Sequence, residues 1–180
     1  MTNLKYKRVL LKISGESFCS SSGFGIEGDP LMSIAERIAA ISNLGIDLAV
    51  VVGGGNFLRG QTFSQKSHIP RNTADYMGML ATVINACALQ ETLEKIGKPT
   101  RVLSAIEVAA ICEPFIKRKC LDHFSKGRIV ILAGGTGNPF FSTDTCAALR
   151  AAELDMDLII KATKVRSEEH TSELQSPNTI

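Results

Sequence analysis

Ile46-Asp47-Leu48-Ala49-Val50-Val51-Val52-Gly53-Gly54-Gly55-Asn56 decides the fold. A nearly unbroken apolar run of strand length that feeds a glycine turn reads as a strand buried on both faces, as in a parallel sheet. The same pattern recurs on either side of it. Lys7 to Ile13 reads as a strand and closes on Lys12-Ile13-Ser14-Gly15. Arg128 to Leu132 reads as another and runs into Ala133-Gly134-Gly135-Thr136-Gly137-Asn138-Pro139. Shorter strands are expected at Arg101 to Leu103 and at Leu158 to Ile160, the latter ending at Lys161.

Helical spacing fills the intervals. Leu31, Ile34, Ile38 and Ile41 mark a helix over Pro30 to Asn43, with Asp29 as its cap and Gly45 as its stop. A long helix is expected from about Ala74 to Ile96, capped by Thr73 and ended by Gly97 and Pro99. Two more follow, from Ile116 to Ser125 and, capped by Thr143, to about Glu153. Strand and helix alternate with short connections. This predicts an α/β fold with a mostly parallel central sheet sandwiched by helices. In such sheets ligands bind beyond the carboxyl ends of the strands, so the three loop-bearing strand ends should form one site.

Composition narrows the function. The chain has 180 residues, 44% hydrophobic and 21% charged, with a net charge of +2. That is one domain with a sizeable core and too little charge for a nucleic-acid or membrane surface. No apolar run reaches membrane-spanning length. Lys12 interrupts the first apolar run, so no signal peptide is read and a cytoplasmic protein is expected. The five cysteines form no CxxC pair and read as free thiols in a reducing compartment. His68, His123 and His170 are scattered, so no metal site is expected.

The chemistry sits at the strand ends. Glycines let backbone N–H groups approach an anion because no Cβ intervenes, and a following helix adds its positive end. A tight turn needs one glycine, so three in succession favour a phosphate cradle at Gly53-Gly54-Gly55. Lys12, at the end of a buried strand, is costly unless it meets negative charge. Arg59 could clamp a phosphate with two N–H groups, although alone it would read as a solvated arginine. Asp75 and Asp144 begin helices, where an isolated aspartate merely complements the dipole. Beside a phosphate site they could hold lysines or bind sugar hydroxyls. Gly23-Phe24-Gly25-Ile26-Glu27-Gly28 matches GxGxxG but follows a serine-rich loop, so no dinucleotide fold is read from it.

Taken together, residues 5–165 resemble the UMP kinases of the bacterial type, in the amino acid kinase superfamily. The resemblance rests on Leu11-Lys12-Ile13-Ser14-Gly15-Glu16, Gly53 to Gly60, Asp75-Tyr76-Met77-Gly78-Met79-Leu80-Ala81-Thr82, Gly135 to Asp144, and Lys161-Ala162-Thr163-Lys164-Val165. The first two stretches occur across the superfamily in looser form; the third and fourth are more specific. The resemblance implies transfer of the γ-phosphoryl of ATP to UMP, giving UDP and ADP, with Mg²⁺. It implies catalytic roles for Lys12, Arg59 and Asp144. ATP would meet Lys12, Ser14, Gly15, Gly55, Arg59 and Thr163. UMP would meet Gly54 and Asp75, then Thr136, Gly137, Asn138, Pro139, Phe140, Phe141, Ser142 and Thr143. Ser20, Ser21, Ser22, Gly23, Phe24 and Gly25 match a region linked to GTP activation in some members. A homohexamer and UTP inhibition are further family traits. Two rival readings are a superfamily enzyme that phosphorylates a carboxylate or carbamate, and a non-catalytic nucleotide sensor. The Thr136 to Phe141 loop argues against the first, and Lys12, Arg59 and Asp144 argue against the second.

The sequence changes character at Arg166. Arg166 to Ser176 has no strand or helix period and matches the translation of a widely used sequencing adapter. Residues 166–180 are therefore expected to be non-native and disordered, and 1–165 to be the N-terminal portion of the domain. The resemblance places further strands and the rest of the adenine and ribose pocket beyond Val165. The 180-residue chain is accordingly expected to be unstable or inactive by itself.

Overall fold

β1 (Arg8–Ile13) and β2 (Asp47–Val52) run parallel, with Leu10 opposite Ala49 and Lys12 opposite Val51. Their register starts at Arg8 and Asp47, whose side chains form an ion pair at 3.2 Å. The computed structural model that gives these positions describes residues 5–20, 24–58 and 68–162. Beyond β2 the described elements are β3 (Thr100–Ser104), β4 (Glu113–Pro114), β5 (Ile129–Ala133) and β6 (Leu158–Ala162). The helices are α1 (Gly28–Ser42), α2 (Arg71–Lys95), α3 (Lys117–Ser125) and α4 (Thr143–Glu153), with a 3₁₀ turn over Gly15–Phe18. The sheet order is β4-β3-β5-β2-β1-β6, and every neighbouring pair is parallel.

Alternation along the strands divides the core in two. Val9, Leu11, Ile13, Val50 and Val52 share one cluster with Ala35 and Ile38 of α1 and with Val83, Ala86 and Leu89 of α2. Leu10, Ala49, Val51, Val130 and Leu132 share the other with Cys120 and Phe124 of α3 and Cys146, Ala147 and Ala151 of α4. Each fully buried aliphatic side chain contributes about 1.5–3 kcal/mol, so burial on both faces fixes β1, β2 and β5 at the centre.

The predicted architecture is the observed one, with local corrections. α1 begins at Gly28 behind Glu27, which puts Pro30 at the third helical position; the N–H it lacks would have had no helical partner there. α2 begins at Arg71 behind Pro70, so Thr73 lies inside the first turn instead of capping it. Ser142, not Thr143, caps α4: its Oγ accepts the Thr145 N–H at 3.0 Å. The two-residue β4 was not anticipated, because two residues carry no period. Its Pro114 sits on an edge strand, where proline is tolerated. None of the described helices is long and apolar enough to cross a membrane. Ser21, Ser22, Gly23, Arg59, Thr163 and the 166–180 tail lie outside the described residues.

Candidate functional site

β1, β2 and β5 all end on the same edge of the sheet, and their loops touch. The Gly53 N–H donates to the Ile13 carbonyl at 2.9 Å, tying the glycine turn to the end of β1. Gly54 packs so tightly on α2 that a Cβ would lie 2.7 Å from the Gly78 carbonyl and 2.9 Å from the Ala81 Cβ. Neither Gly53 nor Gly54 has a positive φ. These glycines serve close approach and not a left-handed turn. The loop after β5 is the opposite case: Gly134, Gly135 and Gly137 have φ of 74°, 58° and 83°.

Between the two loops lies a cavity of about 320 Å³, at the lower end of the roughly 300–1,000 Å³ range of small-molecule sites. Gly54 and Gly55 line one wall, and Asp75, Gly78, Met79 and Thr82 of α2 line a second. Gly135, Thr136, Asn138, Phe141, Ser142 and Thr143 close it from the β5 side. Gly137 itself turns away: a Cβ there would sit 3.0 Å from the Ala105 carbonyl. Pro139 and Phe140 do not line the cavity, and Phe140 is 67% exposed. Phe140 is tied in by its backbone, which donates to Asp75 Oδ2 at 2.8 Å and holds φ at 71°. The other Asp75 oxygen takes the Arg71 Nε at 2.8 Å. Asp75 thus braces the loop after β5 against the start of α2.

Asp144 follows Thr143 at the cavity rim and collects two ammonium groups. Its Oδ1 lies 3.0 Å from Lys12 Nζ, and its Oδ2 lies 2.6 Å from Lys161 Nζ. Lys12 and Lys161 are register partners on β1 and β6, so they project side by side beneath α4. The hydrogen bonds from Lys161 and then Lys12 hold the Asp144 carboxyl below the usual carboxylate range. The Lys12 side chain is only 12% exposed. Two cations flanking one anion leave surplus positive charge at the end of the sheet, beside the glycine turn. That arrangement suits a polyanion.

Other expected residues lie around this centre. Ser14 leads into the 3₁₀ turn, and Gly15 lies against the Gly53 to Asn56 turn. Ser20 lines a separate groove of about 520 Å³ between α1 and β6, whose walls include Leu11, Ile34, Ile38 and Ile160. That groove is larger but mostly apolar, with few convergent polar groups, so the smaller cavity is the stronger candidate. Phe24 stacks edge-on against Phe57 at 5.9 Å, and the Gly25 N–H donates to the Asn56 carbonyl at 3.0 Å.

Several structural supports of the site had not been assigned from sequence. Asn56 and Asn85 are fully buried and exchange amide hydrogen bonds of 2.9 and 2.7 Å. Asn85 also donates to the Gly53 carbonyl and Asn56 to the Gly25 carbonyl, each at 2.7 Å. Thr82 Oγ1 accepts the Gly134 N–H at 2.7 Å. Arg71 had a readable signal, its four-residue spacing from Asp75. Asn85 had none beyond being polar within a helix, and Lys161 becomes informative only once β6 is placed beside β1.

Comparisons with known proteins agree with this geometry. A sequence model of the amino acid kinase family matches residues 7–167. The chain is 52% identical over 162 residues to the chloroplastic uridylate kinase PUMPKIN of Arabidopsis thaliana, covering 90% of this chain and 48% of that protein. It therefore spans about half the length of that relative. Among solved structures it is similar to UMP kinase from Ureaplasma parvum, with a TM-score of 0.83 and 34% identity over 89% of this chain and 67% of that one. It is also similar to UMP kinase from Bacillus anthracis, with a TM-score of 0.84 and 35% identity over 93% of this chain and 71% of that one. The chain belongs to the amino acid kinase family, on its UMP kinase branch.

Proposed function

We propose that this chain carries the acceptor side and the reactive centre of an ATP-dependent UMP kinase, which moves the γ-phosphoryl of ATP to UMP to give UDP and ADP. The observation that carries the reading is Asp144 held between Lys12 and Lys161 at the rim of the glycine-walled cavity. Phosphoryl transfer needs positioning and charge neutralisation and no covalent enzyme intermediate. Lys12 would neutralise charge on the transferring group, with Asp144 holding it in place. Gly54, Asp75 and the Thr136 to Thr143 loop would hold UMP. Ser14, Gly15 and Gly55 would face the ATP phosphates, with Arg59 between donor and acceptor and Thr163 at the start of the adenine side.

Mg²⁺ is proposed to arrive on the phosphates of ATP and to supply charge neutralisation there. Asp75 pairs with Arg71, and Asp144 with Lys12 and Lys161, so neither carboxylate among the described residues is proposed as a metal ligand. β6 is an edge strand with Ile159 and Ile160 exposed, beside the apolar groove along α1. A parallel sheet is covered on both faces, which supports the proposal that 1–165 is a portion of a larger kinase domain; that 166–180 is foreign to it is proposed from the sequence of that segment. The exposed stripe Tyr76, Leu80 and Ile84 on α2 supports self-association, proposed as a homohexamer. GTP activation through Ser20 to Gly25, UTP inhibition and a cytoplasmic location complete the proposal.

The test is Lys12→Ala in a full-length version, by steady-state kinetics. The turnover rate should fall by orders of magnitude while the KM for UMP moves little; an unchanged turnover rate refutes the transition-state role.

A further inference from the structure

We propose that Arg150 is a positioning residue for the acceptor loop: it holds the Gly135 carbonyl and thereby aims the Thr136 N–H into the cavity. The inference rests on reading that cavity as the UMP site. Arginine is almost never fully buried unless it is paired, yet Arg150 of α4 is only 6% exposed. Its guanidinium is engaged on three sides. One terminal nitrogen pairs with Glu153 Oε2 at 2.6 Å, and the other donates to the Gly135 carbonyl at 3.3 Å. The guanidinium carbon stands 3.9 Å from the centroid of the Phe115 ring, at stacking distance.

The Glu153 pair and the Phe115 contact settle the charge and fix the plane of the group. The donor spent on Gly135 has a different consequence. Gly135 and Thr136 both line the cavity, whereas Arg150 does not. A trans peptide is planar, so the Gly135 C=O and the Thr136 N–H point in opposite directions. Anchoring the carbonyl on the α4 side therefore turns the amide away from α4, towards the cavity. The anchor is needed because Gly134, Gly135 and Gly137 adopt left-handed φ and have wide conformational freedom. Thr82 fixes the N–H at the start of this loop and Asp75 fixes the Phe140 N–H at its end. Arg150 supplies the fixed point between them.

The test titrates a full-length version with UMP by calorimetry and follows the unliganded Thr136 amide by ¹H–¹⁵N NMR. Arg150→Met keeps an apolar stem near Phe115 and removes the donors; Glu153→Gln weakens the ion pair and leaves the Gly135 contact. Arg150→Met should weaken UMP binding about five- to tenfold, the effect of one net hydrogen bond, and shift the Thr136 resonance. Glu153→Gln should lower the melting temperature but leave affinity and resonance near wild type. Arg150→Lys, whose ammonium can still donate but lacks the planar fork of the guanidinium, should restore part of the affinity relative to Arg150→Met. Wild-type affinity with an unmoved Thr136 resonance in Arg150→Met overturns the proposal, as does an equal loss in the Met and Gln variants. If Arg150→Met does not fold, Arg150→Gln, whose terminal nitrogen lies two atoms nearer the backbone than that of arginine, takes its place, and wild-type affinity with an unmoved resonance overturns the proposal. If the wild type binds no UMP, the reading of the cavity fails, and the resonance by itself tests the anchor.

Discussion

The two glycine loops that wall the cavity look alike in sequence and work in opposite ways. Gly53-Gly54-Gly55-Asn56 is a packed turn. It is pinned to β1, lies flat on α2 and is locked from behind by the buried Asn56 and Asn85 pair. Gly134-Gly135-Thr136-Gly137-Asn138 is a conformational loop with three positive φ values, held at separate points by Thr82, Arg150 and Asp75. The first loop uses glycine for the space that a missing Cβ leaves; the second uses it for the backbone angle that a Cβ would strain. One wall of the cavity is therefore set by close packing and the other by backbone angle and separate tethers.

Substitutions separate the two kinds of glycine. The largest effect is expected at Gly54, where a methyl group would meet the Gly78 carbonyl at 2.7 Å, the Ala81 Cβ at 2.9 Å and the Thr82 N at 3.2 Å. Gly54→Ala should lower stability by about 3 kcal/mol or more, the upper range for overpacking, as read by urea denaturation. Gly54→Asn should be no better, because the obstacle is space.

A smaller effect is expected at Gly135. A Cβ there meets nothing closer than the Met79 Cγ at 3.8 Å, but φ is 58°. Gly135→Ala should lower stability by about 1–2 kcal/mol, the strain of a left-handed residue, and Gly135→Asn by less, since asparagine tolerates that region. Equal losses for alanine and asparagine at Gly135 would break the distinction between the loops.

The smallest effect concerns the charge centre between them. The folded-state pKa of Asp144 is depressed by Lys161 and Lys12. Its contribution is therefore complete above the unfolded-state pKa, near 3.9, and is lost as pH falls through the lower folded-state value. The Asp144 side chain is half exposed, so solvent screening limits its contribution to under about 1 kcal/mol. Asp144→Asn should match that loss at neutral pH and converge with wild type below about pH 4 in paired acid titrations. A difference that persists at low pH would mean that Asp144 acts through packing instead of charge.

The sequence by itself determined the alternation of strands and helices, the parallel sheet, and the placing of Lys12, the two glycine loops and Asp144 at one edge. Those features follow from local rules: apolar runs of strand length, helical spacing, and glycines at strand ends. Only the tertiary structure decided that β6 lies beside β1, which brings Lys161 within reach of Asp144 across 17 positions. It alone decided that Asn85 would meet Asn56 across 29 positions and that Arg150 would reach Gly135. The reason lies in strand order and helix docking, which depend on the whole core: a polar residue's partner across the sheet is set by packing free energy summed over many distant residues and leaves no local period to read.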